Sequence, residues 1–253
     1  MSEENMLLEC IANALNIRAM PEGKVLSELR AGDLLDVSDS KANSEWVLGK
    51  AVSGISAGVE GYVRRKWLIQ HFNSLPTIST TDRIKAAQII SSRTNEFDSI
   101  RYELGSRART WQELKTNGFV DCSGWIYLLS KEILSAYQLN TSADELDTYS
   151  DKQITNCGTI TNCIISGKYL QSHFFQPGVL LGIDFSEYSW DRGRPLDIDH
   201  IVMIGGDSDG LFVSQSSSSG AGVNRVLLSK WIGSQQKLIS AGRVHLVDLL
   251  SLS

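Results

Sequence analysis

Gly118-Phe119-Val120-Asp121-Cys122-Ser123-Gly124-Trp125-Ile126-Tyr127-Leu128-Leu129 runs from a turn signal into an apolar helix, with a cysteine at the junction. After Gly124, the residues Trp125, Leu128, Leu129 and Ile133 fall at i, i+3, i+4 and i+8, which is one face of a helix. Cys122 then lies at or just before the first turn. Unpaired N–H groups and the positive end of the helix dipole favour an ionised sulfur there. Ser123 and Gly124 are small enough to leave an approach to it open. A cysteine in such a place also serves in many proteins as a small buried hydrophobe, so position alone leaves both roles standing.

Outward from this helix the chain has two textures. From about Leu7 to Leu68 short β runs alternate with turns: Asn16-Ile17-Arg18, Val25 to Leu29, Leu34 to Val37, Trp46-Val47-Leu48-Gly49 and Gly61-Tyr62-Val63. Strands this short at this spacing predict a small all-β barrel over residues 1–70. The polar stretch from His71 to Thr81 reads as a linker. Asp82 opens a helix whose buried stripe is Ile84, Ala87 and Ile90, or Ala86, Ile89 and Ile90. Helices come first and strands later over residues 82–253, the order of an α+β domain.

The chain has 253 residues and a formal net charge of −5, with no block of like charges. That balance points away from nucleic acid. The N-terminal stretch MSEENMLLECIANALNIRAM is broken by Glu9, Cys10 and Asn13 and is preceded by acids, unlike a secretory signal. No apolar run of about 18 residues offers a membrane span. The expectation is a chain that stays in the cytoplasm or is exported by a signal-independent route. Of the cysteines, Cys157 and Cys163 share the polar segment TNCGTITNC and could bridge or flank a loop. No CxxC or HExxH occurs, so neither metal nor cofactor is expected.

A thiol at its ordinary pKa of about 8.5 needs a base. The chain offers four histidines. His200 opens the apolar run Ile201-Val202-Met203-Ile204, where a side chain is held at a sheet end facing a cleft. His71 lies in the linker, His173 packs beside Phe174 and Phe175, and His245 alternates within a late strand.

Asp-Cys-Ser-Gly at a helix start resembles the catalytic segment of the NlpC/p60 cell-wall peptidases, a papain-like α+β family. Pro177-Gly178-Val179-Leu180-Leu181, Asp199 to Gly206, Leu211-Phe212-Val213-Ser214-Gln215 and Arg243-Val244 resemble that family's later strands, in order, from about Asp82 to Leu250. Leu15-Asn16-Ile17-Arg18, Ala31-Gly32-Asp33, Trp46, Gly61-Tyr62-Val63 and Trp67-Leu68 resemble a bacterial SH3 (SH3b) domain. Arg18, Trp46 and Trp67 are candidate ligand contacts there, or simply the filling of a small barrel.

The resemblance implies Cys122 as nucleophile and His200 as general base and acid. It implies a polar orienting residue on the following strand, where Ser214 and Gln215 stand in place of a third histidine. Tyr102, in Tyr102-Glu103-Leu104-Gly105, resembles the family's oxyanion and substrate tyrosine, without the usual double glycine. Asp121, Ser123 and Trp125 are the further substrate-contact candidates. The implied partners are peptidoglycan stem peptides or muropeptides, cut between γ-D-glutamate and a diamino acid. Acids such as Asp33 or Asp36 would hold the peptide's ammonium; the stretch Asp184 to Asp197 is longer than the family's usual connection before the histidine and could form a lid or alter substrate choice. Two alternatives stay open: a secreted effector or lysin acting on intact wall, and an inactive peptidoglycan-binding protein.

Overall fold

The computed structural model describes residues 6–37, 45–71, 78–137, 146–161, 164–166, 170–186, 188, 194 and 196–252. Seven short strands come first: β1 (Met6–Cys10), β2 (Leu15–Arg18), β3 (Val25–Leu29), β4 (Leu34–Val37), β5 (Trp46–Ala51), β6 (Glu60–Arg64) and β7 (Leu68–Gln70). They form one sheet in the order β3-β2-β6-β5-β4-β1-β7. Period-2 alternation sends Leu8, Ile17, Leu29, Leu35, Val47 and Val63 into a core of their own. The expected barrel is not closed: among the described residues β3 and β7 remain the two edges. Within the sheet, β2 meets β6 through the register pair Arg18 with Tyr62. Arg64 covers Trp46 and Lys66 covers Trp67, so these rings are capped by cations on the sheet's own surface. The predicted linker begins as structure, because the His71 N–H donates to the Leu7 carbonyl and its ring meets buried Glu9 at 3.0 Å. Residues 72–77 of that linker lie outside the described residues.

The second part is built on a six-stranded antiparallel sheet. Its strands are β10 (Ile165–Ser166), β11 (Val179–Ile183), β12 (His200–Asp207), β13 (Gly210–Ser217), β14 (Gly222–Leu227) and β15 (Val244–Asp248), in the order β10-β15-β11-β12-β13-β14. The helices are α1 (Thr80–Glu96), α2 (Trp111–Asn117), α3 (Cys122–Tyr137), α4 (Ser150–Thr161) and α5 (Leu228–Ser240). Ile201 and Met203 of β12 point into the core shared with α1, α3 and α4, whereas Val202 and Ile204 point into the core that holds Trp231 of α5. A strand buried on both faces reads as one continuous apolar run, which is what β12 is. Among the described residues no helix is long and apolar enough to cross a membrane.

Helix α3 is the central helix, and its burial is wider than its periodic face suggests. Every residue from Cys122 to Ser130 is buried, because both the sheet and the flanking helices close around it. Helix α1 departs from expectation in two ways. Ser79 caps it by accepting from the Asp82 N–H, so it starts at Thr80, before Asp82. Its buried face is Arg83, Ala86, Ile90 and Thr94, while Ile84 is 53% exposed. Arg83 is buried because its fork meets both oxygens of Asp248 and the Pro177 carbonyl, locking α1 to β15 and to the turn before β11.

A small two-stranded parallel sheet, β8 (Arg101–Tyr102) with β9 (Phe119–Val120), precedes α3 and sets where it starts. It is pinned to the large sheet by the Val223 N–H, which donates to the Ile100 carbonyl at 2.9 Å. Gly222 makes that approach possible: its φ is 141° and an added Cβ would stand 1.9 Å from the Ile100 oxygen. Gly222→Ala is therefore expected to cost about 2–3 kcal/mol or more. A thermal unfolding midpoint lowered by several degrees would register it, and an unchanged midpoint would show that the two sheets are held together otherwise.

Candidate active site

Helix α3 begins at Cys122, and Asp121 caps it. Asp121 Oδ1 accepts from the Gly124 N–H at 2.7 Å and from the Ser123 hydroxyl at 2.8 Å, while Oδ2 accepts from the Gly105 N–H at 3.2 Å. Asp121 and Ser123 both border the cavity at this helix end. Their polar atoms, however, are engaged with one another and with the backbone. Gly124 does not clear a path to the sulfur, as the sequence suggested. A Cβ there would lie 2.9 Å from Val120 Cγ2 and 3.1 Å from Arg107 Cα, so the glycine lets the 106–107 segment lie against α3. Trp125 is not a substrate contact either. It is fully buried, donates through Nε1 to Ser214 Oγ at 2.9 Å and packs edge-on against Phe97 and Trp111.

Cys122, His200, Gln215 and Tyr102 line one cavity of about 870 Å³, together with Arg107 and Tyr149. Cys122 as a residue is 6% exposed. Its pKa is pushed up to about 11, first by burial and then by the Asp121 charge, against the pull of the backbone amides of Ile201, Ser123 and Cys122. The ionised sulfur expected at a helix start is thus not the resting species. The helix N–H groups do favour the anion, but removal from water and a neighbouring carboxylate outweigh them.

His200 opens β12 and is half-buried at the cavity wall. Its Nε2 lies 2.9 Å from Gln215 Oε1, and its ring stacks on Phe185, centroids 6.0 Å apart. Phe185 is held there because the backbone N–H groups of Phe185 and Ser186 both donate to Asp199 Oδ2. Burial lowers the His200 pKa, and the bond to Gln215 opposes that shift. Imidazole and thiol are therefore both neutral in the resting site. Among the described residues no hydrogen bond joins the sulfur to the ring, and Nδ1 has no protein partner.

Which nitrogen of His200 can act as a base follows from a fixed acceptor two residues away in a chain of amides. The Gly222 carbonyl can only accept, so the Asn224 amide donates to it at 2.6 Å and turns Oδ1 toward Gln215. Gln215 Nε2 donates to that oxygen at 3.2 Å, which turns Oε1 toward His200. His200 Nε2 must then carry the hydrogen, leaving the lone pair on Nδ1. Ser214, the alternative orienter, faces the other side of β13, where it meets Thr94 and Trp125. The sequence reading did not find Asn224. Its signal was the pairing of β13 with β14, which sets Asn224 directly opposite Gln215.

Tyr102 reaches the same cavity from β8. Burial, followed by the neighbouring Cys122 and Asp121, raises its pKa to about 12, so it is a protonated donor. Its hydroxyl has no hydrogen-bond partner among the described residues. The remaining candidates lie elsewhere. Asp33 is buried in a turn, accepting from the Arg30 N–H at 2.8 Å, and neither it nor Asp36 borders the cavity. Arg18, Trp46 and Trp67 do not border it either. His245 is buried in β15 with its pKa pulled down to about 4. Cys157 is buried in α4, and Cys163 lies outside the described residues. Much of the Asp184 to Asp197 segment also lies outside them.

No family model matches the sequence, and no curated protein matches it. Among solved structures, the chain is similar to NlpC1 from Trichomonas vaginalis, at 15% identity and a TM-score of 0.36, over 90% of this chain and 66% of that one. It is similar to NlpC2 from the same organism at 13% identity and a TM-score of 0.36, over 89% and 68% of the two chains. A third is an NlpC/P60 endopeptidase from Photobacterium damselae subsp. piscicida, at 13% identity and a TM-score of 0.34, over 97% of this chain and 54% of that one. The chain thus spans just under two thirds of the first of these proteins and about half of the third.

The raised thiol pKa has a direct readout. Only the thiolate alkylates, so iodoacetamide modification of Cys122 should climb with pH toward about 11. Labelling followed by peptide mass spectrometry over a pH series measures it. A plateau reached below neutrality would show an ion pair with His200 in place of two neutral groups.

Proposed function

We propose that the chain is a cysteine peptidase of the NlpC/p60 type, cutting peptidoglycan stem peptides between γ-D-glutamate and a diamino acid. The observation that carries this reading is the oriented chain from the Gly222 carbonyl through Asn224 and Gln215 to His200. It leaves a basic Nδ1 on the wall of the cavity that also holds Cys122. A half-buried imidazole fixed in one tautomer, on the wall of the cavity that an otherwise inert thiol also lines, has a use in acyl transfer.

The chemistry runs from two neutral groups. As the sulfur attacks the substrate carbonyl carbon, Nδ1 takes the thiol proton, and the carbonyl π electrons move to oxygen. The Cys122 N–H and the Tyr102 hydroxyl are the donors for that oxyanion. The imidazolium then returns the proton to the departing amine as the C–N bond breaks. Nδ1 next takes a proton from the water that attacks the thioester carbon, and returns it to the Cys122 sulfur as the C–S bond breaks, which frees the carboxylic acid product and restores the two neutral groups. The resting site lacks a sulfur–ring hydrogen bond, as free enzymes often do until substrate closes the site. Residues 82–253 form the peptidase domain in this reading, residues 71–81 the linker and residues 1–70 the SH3b-like domain. The Asn13 side chain donates to Asp197, joining the first part to the segment that leads into His200.

A second reading, a wall-peptide binder without turnover, draws on one observation: a buried cysteine whose thiol pKa is pushed up to about 11. Incubation with L-Ala-γ-D-Glu-diaminopimelate and product analysis by mass spectrometry separates the two. Release of free diaminopimelate supports the peptidase; binding with no product supports the binder.

Cys122→Ser and His200→Ala should each abolish turnover while far-ultraviolet circular dichroism stays unchanged. Asn224→Leu frees the Gln215 amide to rotate and should lower kcat by about tenfold or more with little effect on KM, a fraction of the usual general-base contribution. An Asn224→Leu enzyme with unchanged kcat would mean that the amide chain does not set the tautomer.

A further inference from the structure

Arg107 sits on the segment between β8 and α2, on the wall of the cavity that holds Cys122. Three contacts fix it. Its Cα packs against Gly124, its Nε lies 3.5 Å from Asp121 Oδ2, and its guanidinium lies face-on over Tyr149 with Cζ 3.9 Å from the ring centroid. Those contacts cover one face of the fork and leave the buried Nε near Asp121 without a hydrogen bond among the described residues. The two terminal nitrogens meet no acceptor among the described residues. Asp121 does little to satisfy them, since its oxygens already accept from Gly105, Ser123 and Gly124. The side chain is 28% exposed, so it is partly withdrawn from water while its outer donors stay unspent.

A guanidinium held rigid, partly desolvated and open along its outer edge matches one ligand chemistry best: a planar anion taken by two parallel N–H bonds. An ammonium on so flexible a stem would not be held this way. The stack on Tyr149 matters because it limits the rotamers that a passing anion would otherwise have to order. The chain as a whole carries a formal charge of −5, so an acidic peptide approaches against the overall field. A local cation in the cavity offsets that repulsion where the reacting atoms sit.

We propose that Arg107 binds a free carboxylate of the substrate next to the scissile bond, and so selects acidic stem peptides over amidated ones. This rests on the peptidase reading above and adds to it a specificity residue that neither the motif nor the oriented histidine implies. Two carboxylates flank such a bond, one on the γ-linked D-glutamate and one on the diamino acid, and the test separates them.

The experiment uses the full chain carrying Cys122→Ser, with calorimetric titration of three peptides. These are L-Ala-γ-D-Glu-diaminopimelate, the same peptide with the glutamate α-carboxylate amidated, and the same peptide with the diaminopimelate carboxylates amidated. Amidation at one of the two places should weaken binding by about tenfold or more, the scale of a lost hydrogen bond to a charged group. Adding Arg107→Gln should bring the parent peptide down to that same affinity and erase the discrimination. Arg107→Lys, which keeps the charge without the fork, should retain part of it, and circular dichroism of both variants checks folding. Equal affinity for all three peptides overturns the proposal alone. So does an Arg107→Gln variant that weakens parent and amidated peptides alike. Failure of all three to bind overturns both this proposal and the peptidase reading.

Discussion

The site depends on one backbone carbonyl that can only accept. Gly222 presents it to Asn224, and from there each amide in turn has its direction forced, until His200 is left with its hydrogen on Nε2 and its lone pair on Nδ1. The same residue lets β14 approach β8, because no side chain intervenes between Gly222 and Ile100. A single glycine thus sets both the tautomer of the candidate base and the position of the strand carrying Tyr102. Neither effect is a strong interaction by itself; each hydrogen bond contributes about 1 kcal/mol net. Their value is directional.

Neutrality on both sides of the site follows from burial. Desolvation disfavours whichever form is charged, so it raises the thiol and lowers the imidazole together. A thiolate–imidazolium pair would be stabilised by a direct hydrogen bond, and among the described residues none joins the sulfur to the ring. In the proposed peptidase reading, reactivity belongs to the substrate complex, in which the proton moves as the new bond forms. A site that is inert when empty protects the sulfur from adventitious oxidation, which acts on the thiolate.

Much of this architecture was legible in the residues. The start of α3 at Cys122, the apolar run of β12 and the alternating short strands of the first part all follow from hydrophobic spacing and turn chemistry. Sheet closure was not legible, because it depends on whether β3 and β7 can meet, and no local pattern encodes that. Between Ser214 and Gln215 the sequence favoured Gln215 only by its carbonyl acceptor; the pairing of Met203 with Ser214 then sends the two to opposite faces of β13. Arg83 and Arg107 were missed for a related reason. An arginine reads as surface until the partner that buries it, Asp248 in one case and Tyr149 in the other, is seen to arrive from far along the chain.

Asp121 shows why the thiol cannot be tuned independently of the fold. As the cap of α3 it must present acceptors to Gly124 and Ser123, and as the anchor of the preceding loop it must reach Gly105. Its charge then sits beside Cys122 and disfavours the thiolate. Replacing it with an uncharged residue would relieve the sulfur but weaken the cap, worth about 1 kcal/mol. Arg107 lies 3.5 Å from Asp121 on the same cavity wall, but the forces that set the thiol are burial, the Asp121 charge and the local backbone amides. In the proposed reading, attack then has to draw its driving force from His200, and the direction in which that ring is held matters more than the charge it carries.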